Sequence, residues 1–224
     1  MKLYYHPAST TSRIVQLFAL EQAIPLEYIV VDLFSGAQHA AEYTKINPNA
    51  LVPVLVDGDF VLTESAAILK YLADQFNSPA YPKELKARAR INERIDWFNS
   101  NFYKDIGYGL VYPQLFAHHA RPDAIVQQGS IEWAQSKTKA WLAILNTNLI
   151  GDKNAYLCGD QITLCDYFGI ELVLIGELVG SEYEAYPNIK RWMNNMKQLK
   201  NWTQVHTAFD GFAASLKGKT FIRI

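Results

Sequence analysis

The apolar positions of this chain follow two rhythms, and one gives way to the other near residue 78. Before that point short β-branched and aromatic runs alternate with amphipathic stretches. Lys2-Leu-Tyr-Tyr reads as a strand. Arg13 to Ala23 carries Ile14, Val15, Leu17, Phe18 and Leu20, a spacing that predicts a largely buried helix. Pro25 ends it, and Leu26 to Val31 is a β-branched strand. Leu33 to Ile46 is polar and predicts a loop with a short helix. Val54-Leu-Val-Asp and Phe60-Val-Leu flank Asp57-Gly58, a strong hairpin signal. Ala66 to Phe76 then places Ile68, Leu69, Leu72 and Phe76 at helical spacing. The order β-α-β-α-β-β-α asks for a parallel crossover first and an antiparallel hairpin last.

Ser78-Pro-Ala-Tyr-Pro-Lys reads as a linker, and beyond it the strand signals stop. Glu84 to Ala117 predicts one long helix interrupted by Gly107, Gly109 and Pro113, with a kink or break at the proline. Pro122-Asp123 opens another helix running to about Leu149. Thr163 to Leu178 is apolar all round, as in a central buried helix. Asp166 stands three residues after Thr163, which predicts a capping box with Asp in place of the usual Glu. A further helix starts at Pro187 and runs to about Lys200, while the tail from Asn201 is ambiguous. Two units are expected, a small α/β domain over residues 1–77 and an all-helical domain over residues 85–224.

Composition narrows the function classes. The 224 residues are 50% hydrophobic and 19% charged with a formal net charge of −1, as in a folded globular protein with no strong field for nucleic acid or an anionic membrane. No run of apolar residues reaches the length of a membrane span, and the chain opens on a strand rather than a signal peptide. Cys158 and Cys165 lack metal or redox spacing and read as reduced, buried thiols of a cytoplasmic protein.

Three clusters carry candidate chemistry. Ala8 to Ser12, after the first strand, holds four hydroxyls and no cysteine, which excludes direct thiol redox chemistry there. Pro53 stands directly before a strand, either as an edge residue or as a cis-proline. Thr63, Glu64 and Ser65 stand at a helix start, where they serve as caps or as ligands for a charged group.

The string NPNALVPVL…FVLTESAAILKYLAD, together with Gly159-Asp-Gln-Ile-Thr-Leu-Cys-Asp, resembles the cytosolic glutathione transferases, and Ile91 to Phe116 is most similar to their delta and theta-like classes. That resemblance implies an α/β thioredoxin-like N-terminal domain followed by an all-α C-terminal domain. It implies an enzyme of detoxification type that conjugates reduced glutathione to hydrophobic electrophiles through an activated thiolate. Ser9 would activate the thiol, with Thr10 and Ser12 as rival hydroxyls. Val52, before Pro53, would pair with the cysteinyl backbone, and Glu64 and Ser65 would hold the γ-glutamyl end. Many relatives carry cations where Ala50 and Ala66 stand here; Gln38 and His39 remain to reach the glycine end. The second substrate would lie against the kinked helix, near Thr10, Tyr108, Tyr112, Leu115, Phe116 and, from the tail, Phe209. Glutathione is the cosubstrate, no metal is required, and a homodimer is expected. Two other readings share the fold: a glutathione-dependent peroxidase, disulfide reductase or dehalogenase, and a non-catalytic binding protein. Titrating the bound thiol separates enzyme from binding module, since only the enzyme must depress its pKa.

Overall fold

A computed structural model describes residues 1–224. Strand β1 (Lys2–Tyr5), helix α1 (Thr10–Glu21) and strand β2 (Glu27–Val30) make the crossover, with Lys2 opposite Glu27 and Tyr5 opposite Val30 in parallel register. A short helical turn at Ala37–His39 and helix α2 (Ala41–Thr44) fill the polar connection. Strands β3 (Val54–Asp57) and β4 (Phe60–Leu62) form the hairpin, and Gly58 takes φ 62°, which a glycine adopts without steric cost. Strand β3 runs antiparallel to β1, with Leu3 opposite Leu55, so the sheet order is β2-β1-β3-β4. Helix α3 (Ser65–Gln75) buries Ile68, Leu69 and Leu72. Phe76 departs from its predicted face: the helix has ended there (φ −101°) and the side chain is 40% exposed.

The remaining elements are helical. Helix α4 (Leu85–Trp97) starts at Glu84, whose carboxylate accepts from the amides of Lys86 and Ala87. The chain then winds in the wider π form through Phe98–Phe102 and Lys104–Val111 before helix α5 (Tyr112–Leu115). The expected break at Pro113 does not occur. Pro113 is the second residue of α5, where a missing amide hydrogen costs nothing. The backbone leaves the helix at Phe116 (φ −125°, ψ 120°). Helix α6 (Ala124–Ile144) is capped by Asp123 and relaxes into a π turn over Leu145–Ile150.

Helix α7 (Leu164–Leu174) is buried at every position. Gly169 has no room for a side chain, since a Cβ there would lie 2.4 Å from the Phe98 ring. The predicted capping box is present. Asp166 accepts from the Thr163 amide at 2.8 Å, the Leu157 amide at 2.8 Å and the Trp192 indole at 2.9 Å, so one carboxylate ties the loop, α7 and helix α8 (Pro187–Lys197) together. The tail adds helix α9 (Trp202–Ser215), which the sequence left open. Helix α1 lies between the sheet and the helical half. Ile14, Val15, Leu17, Phe18 and Ala19 are fully buried there, each larger side chain stabilising the fold by about 1.5–3 kcal/mol.

Candidate active site

The first loop is folded by its own polar groups. His6 Nδ1 accepts from the Ala8 amide at 3.2 Å, and the Ser9 amide donates to the His6 carbonyl at 3.0 Å. Ser9 is thereby set as the N-cap of α1, its Oγ accepting from the Ser12 amide at 3.3 Å. Ser9 Oγ also lies 3.2 Å from Thr11 Oγ1, and Thr11 Oγ1 donates to the Val52 carbonyl at 3.0 Å. Thr11 has one hydroxyl hydrogen, and the carbonyl takes it. Ser9 must therefore be the donor between the two hydroxyls. A relay results, from the helix amide of Ser12 through Ser9 and Thr11 to Val52.

The rival hydroxyls are placed differently. Ser12 is fully buried, and its Oγ accepts from the His6 amide at 3.4 Å. Thr10 is buried and bonded to Tyr112 Oη at 3.0 Å, which in turn lies 2.8 Å from Tyr103 Oη. Burial pushes both tyrosine hydroxyls up, so each stays a neutral phenol.

Val52 is held by the Asn-Pro-Asn turn before it. The side chains of Asn47 and Tyr43 both donate to the Leu51 carbonyl, at 2.8 Å and 2.6 Å. The Asn49 amide donates to Asn47 Oδ1 at 3.1 Å, and Ala50 adopts a left-handed φ of 54°. The Val52–Pro53 peptide bond is cis, one of the two readings open from sequence.

A cleft of about 350 Å³ opens here. Thr11, Val52, Pro53, Glu64 and Ser65 wall it on one side, and Asn99, Tyr103, Lys104 and Tyr108 on the other. Glu64 and Ser65 make no side-chain capping bond to α3. Glu64 is held at φ 65°, a conformation costing a non-glycine residue about 1–3 kcal/mol, of the kind that collects at ligand sites. The first amides of α3 are left without a side-chain cap where Ser65 lines the cleft, with the Glu64 carboxylate beside them.

The opposite wall owes its shape to the π winding. Tyr103 and Tyr108 are five residues apart, the hydrogen-bonding interval of that winding, and their rings meet edge to face at 5.2 Å. Gly107 leaves the space that the Tyr103 ring fills.

The structure brings together Val52, Pro53, Glu64, Ser65 and Tyr108, with Ser9 one hydrogen bond behind Thr11. Gln38 and His39 stand outside the cleft wall, on the short turn before α2. Thr10 and Tyr112 lie behind the wall. Leu115 packs against the core, and Phe116 stacks on Phe212 at 6.0 Å. Phe209 does not reach a pocket: it is 3% exposed because the Arg13 guanidinium covers its ring at 4.5 Å. From α9 it is Phe212, one turn later, that meets Phe116. Thr11, Asn47, Asn99, Tyr103 and Lys104 were missed from sequence. Only Thr11, inside the hydroxyl cluster, and Asn47, inside the Asn-Pro-Asn turn, carried a signal that pointed to a role.

Known proteins share this fold. Family profiles described as the N-terminal and C-terminal domains of glutathione S-transferase match residues 3–80 and 121–200. Human glutathione S-transferase theta-2B is 33% identical over 88% of this chain and 80% of its own length. A delta-class glutathione transferase of Nilaparvata lugens superposes with a TM-score of 0.83 at 32% identity, covering 96% of this chain and 98% of that one. Human glutathione transferase theta-2, solved with glutathione and an unknown ligand, gives a TM-score of 0.84 at 29% identity over 99% of this chain and 92% of its own.

Proposed function

The chain belongs to the glutathione S-transferase family, theta/delta-like in kind, and is a glutathione transferase; from that premise we propose that Ser9 activates the thiol of glutathione bound in the cleft beside Val52. The relay through Ser12, Ser9, Thr11 and Val52 carries this reading. In the resting protein the Ser9 hydrogen is spent on Thr11, an exchangeable hydroxyl partner. A sulfur arriving beside Val52 takes that hydrogen bond over. The Ser12 amide and the start of α1 polarise the same oxygen. A hydrogen bond to a charged acceptor stabilises it by about 1.5–3 kcal/mol. Lowering a thiol pKa by about 2 units requires roughly 2.7 kcal/mol, so one hydroxyl suffices. The thiolate then attacks an electrophilic carbon, whose leaving group departs with the bonding electrons.

The rest of the tripeptide follows the cleft wall. The Val52 backbone pairs with the cysteinyl unit. The α3 amides and Ser65 take the γ-glutamyl carboxylate, and Glu64 takes its ammonium. Lys104 brings to the cleft a cation that Ala50 and Ala66 do not. The electrophile lies against the Tyr103 and Tyr108 rings, which suits an apolar molecule.

The active form is a homodimer. Supporting this, the edge strand β4 exposes Phe60 and Val61 by 46% and 44%, and Phe76 is exposed at the end of α3. An apolar edge strand of this kind asks for a cover. Sedimentation at micromolar concentration is expected to give a dimer, and a monomer alone removes this part of the reading. No helix is long and apolar enough to cross a membrane, and the cytoplasm is the proposed location.

The test of Ser9 is the titration of bound glutathione, followed by thiolate absorbance. The wild-type complex should titrate well below free glutathione. Ser9→Ala should raise the bound pKa by about one to two units and slow conjugation about ten- to a hundredfold at neutral pH. Retention of both properties in Ser9→Ala, with their loss in Thr10→Val or Ser12→Ala, would reassign the hydroxyl.

A further inference from the structure

The two cysteines of the chain meet outside the cleft wall. Cys165 is the second residue of α7 and is fully buried, whereas Cys158 sits on the preceding loop and is half-buried. Their sulfurs are 3.6 Å apart. The loop is fastened on both sides of Cys158. The Leu157 amide donates to Asp166 Oδ1 at 2.8 Å, and the Tyr156 amide donates to the Gly159 carbonyl at 2.8 Å. Thr163 Oγ1, a member of the capping box, lies 3.1 Å from Cys165 Sγ. The capping network therefore sets the sulfur separation. Closing it to a disulfide bond of roughly 2.0 Å requires about 1.5 Å of movement, which the loop side can supply.

The two thiols are unequal. Cys158 is the accessible one, and the charge of Arg94 acts on it; Arg94 Nε is buried without a hydrogen-bond partner. The hydrogen bond from Cys165, with a smaller effect from Arg94, draws the Cys158 thiol below its usual range, and burial pushes Cys165 well above. A half-buried, more acidic thiol backed by a second sulfur 3.6 Å away is the arrangement of a reactive and a resolving cysteine. The charge of Asp166 acts on the Cys158 thiol in the opposite sense, and that carboxylate already accepts four hydrogen bonds.

We propose that Cys158 and Cys165 form a dithiol site that hydroperoxides oxidise to an intrachain disulfide. The Cys158 thiolate attacks one peroxide oxygen. The O–O bond breaks, an S–O bond forms, and the other oxygen leaves as water after taking a proton. Cys165 sulfur then attacks Cys158 sulfur. The S–O bond breaks, the S–S bond forms, and a second water leaves with the Cys165 proton. Two thiols lose two electrons and hydrogen peroxide is reduced to two waters. Both thiols are reduced, as expected from their spacing, but only Cys165 is buried; Cys158 is half-buried.

Hydrogen peroxide at one equivalent on the full-length protein tests this, followed by alkylation and intact mass. The wild type should lose two hydrogens per chain, resist alkylation at both positions and regain both thiols with dithiothreitol. Both cysteines lie on one tryptic peptide, Asn154–Lys190, with Asp160 between them. Cleavage before Asp160 should leave two pieces joined until reduction. Cys165→Ser should leave a sulfenic acid at Cys158 that dimedone traps, and Cys158→Ser should leave Cys165 unreacted. Full alkylation of the peroxide-treated wild type, accumulation of sulfinic acid at Cys158 without a bridge, or a bridge between chains would each overturn the proposal. The wild-type mass shift decides even if a serine variant does not fold.

Discussion

Arg13 Nε donates to Glu171 Oε2 at 2.8 Å, and neither side chain has any solvent exposure. The pair joins α1, which carries the hydroxyl relay, to the central helix of the second half. His206 Nε2 lies 2.8 Å from the other Glu171 oxygen, and Arg13 Nη1 donates to the Ala8 carbonyl at 2.9 Å. The residue before Ser9 is thus anchored through one guanidinium to α7 and α9. Glu171→Gln should destabilise the protein by about 3–5 kcal/mol, because it strands buried positive charge. Burial alone would push the Glu171 carboxyl up, but the charges of Arg13 and His206 hold it below the usual value. A carboxyl depressed on folding contributes stability above its ordinary range and loses it as pH falls through the depressed value. Urea unfolding of wild type and variant, at neutral pH and in acid, should show the difference shrinking in acid.

Thr11→Val removes the hydroxyl that occupies both Ser9 and the Val52 carbonyl. The same hydroxyl holds the Val52 backbone in place, and a neutral hydrogen bond contributes about 0.5–1.5 kcal/mol, so loosening that backbone should raise the KM for glutathione about two- to tenfold. The bound thiol pKa should move less than in Ser9→Ala, since Ser9 keeps its own hydrogen. Two-substrate kinetics with thiol titration separates these effects; a pKa shift larger than that of Ser9→Ala would make Thr11 the activating group.

Lys104 lines the cleft opposite Ser65. Lys104→Ala should raise the KM for glutathione about two- to fivefold, the range of a partly exposed charge pair, with kcat unchanged. The effect should fade with added salt. An unchanged KM at low salt would show that Lys104 does not meet the tripeptide.

His6 makes the first loop sensitive to acid. Burial lowers its pKa from the usual 6.5, against the smaller opposing charge of Asp32. Its Nδ1 accepts from the Ala8 amide, which a protonated ring cannot do. A histidine depressed on folding leaves stability intact above about 6.5 and erodes it as pH falls below that value. Urea midpoints should decline as pH drops from about 7 to about 5, and His6→Asn should flatten that slope. An equal slope in both proteins would exclude His6 as the cause.

Gly107→Ala would place a Cβ 2.6 Å from Tyr103 Cε2. The ring, which lines the cleft, must shift, at a cost of about 1–3 kcal/mol. With glutathione saturating, the KM for an aromatic electrophile should change while that for glutathione does not. Thermal unfolding of the same variant measures the overpacking separately.

The order of elements and the hairpin were legible because Asp57-Gly58 and the β-branched runs are local signals, and the capping box because Thr163 and Asp166 are three residues apart. Phe98 to Val111 was expected only as part of one long helix, and nothing in its residues announced the wider winding. That winding hid Tyr103 and Lys104. Phe209 and Phe212 are both apolar residues of one helix, and nothing local tells which meets Arg13 and which meets Phe116. Thr11 was passed over because its importance rests on Val52, 41 residues away. The ambiguity of the tail is resolved by packing: Val205, His206 and Phe209 are buried against partners assembled from the rest of the chain.

The wide winding of Phe98 to Val111 makes the wall proposed for the electrophile adjustable by length as well as by composition. Removing or adding one residue there would rotate every following ring relative to the sulfur, while Val52, Glu64 and Ser65 on the other wall stayed as they are. Point substitution trades one ring for another at a fixed address; a single-codon deletion re-addresses Tyr103 and Tyr108 together. A deletion ladder through this stretch is therefore a route to new electrophile preferences that leaves the tripeptide half of the site as it stands.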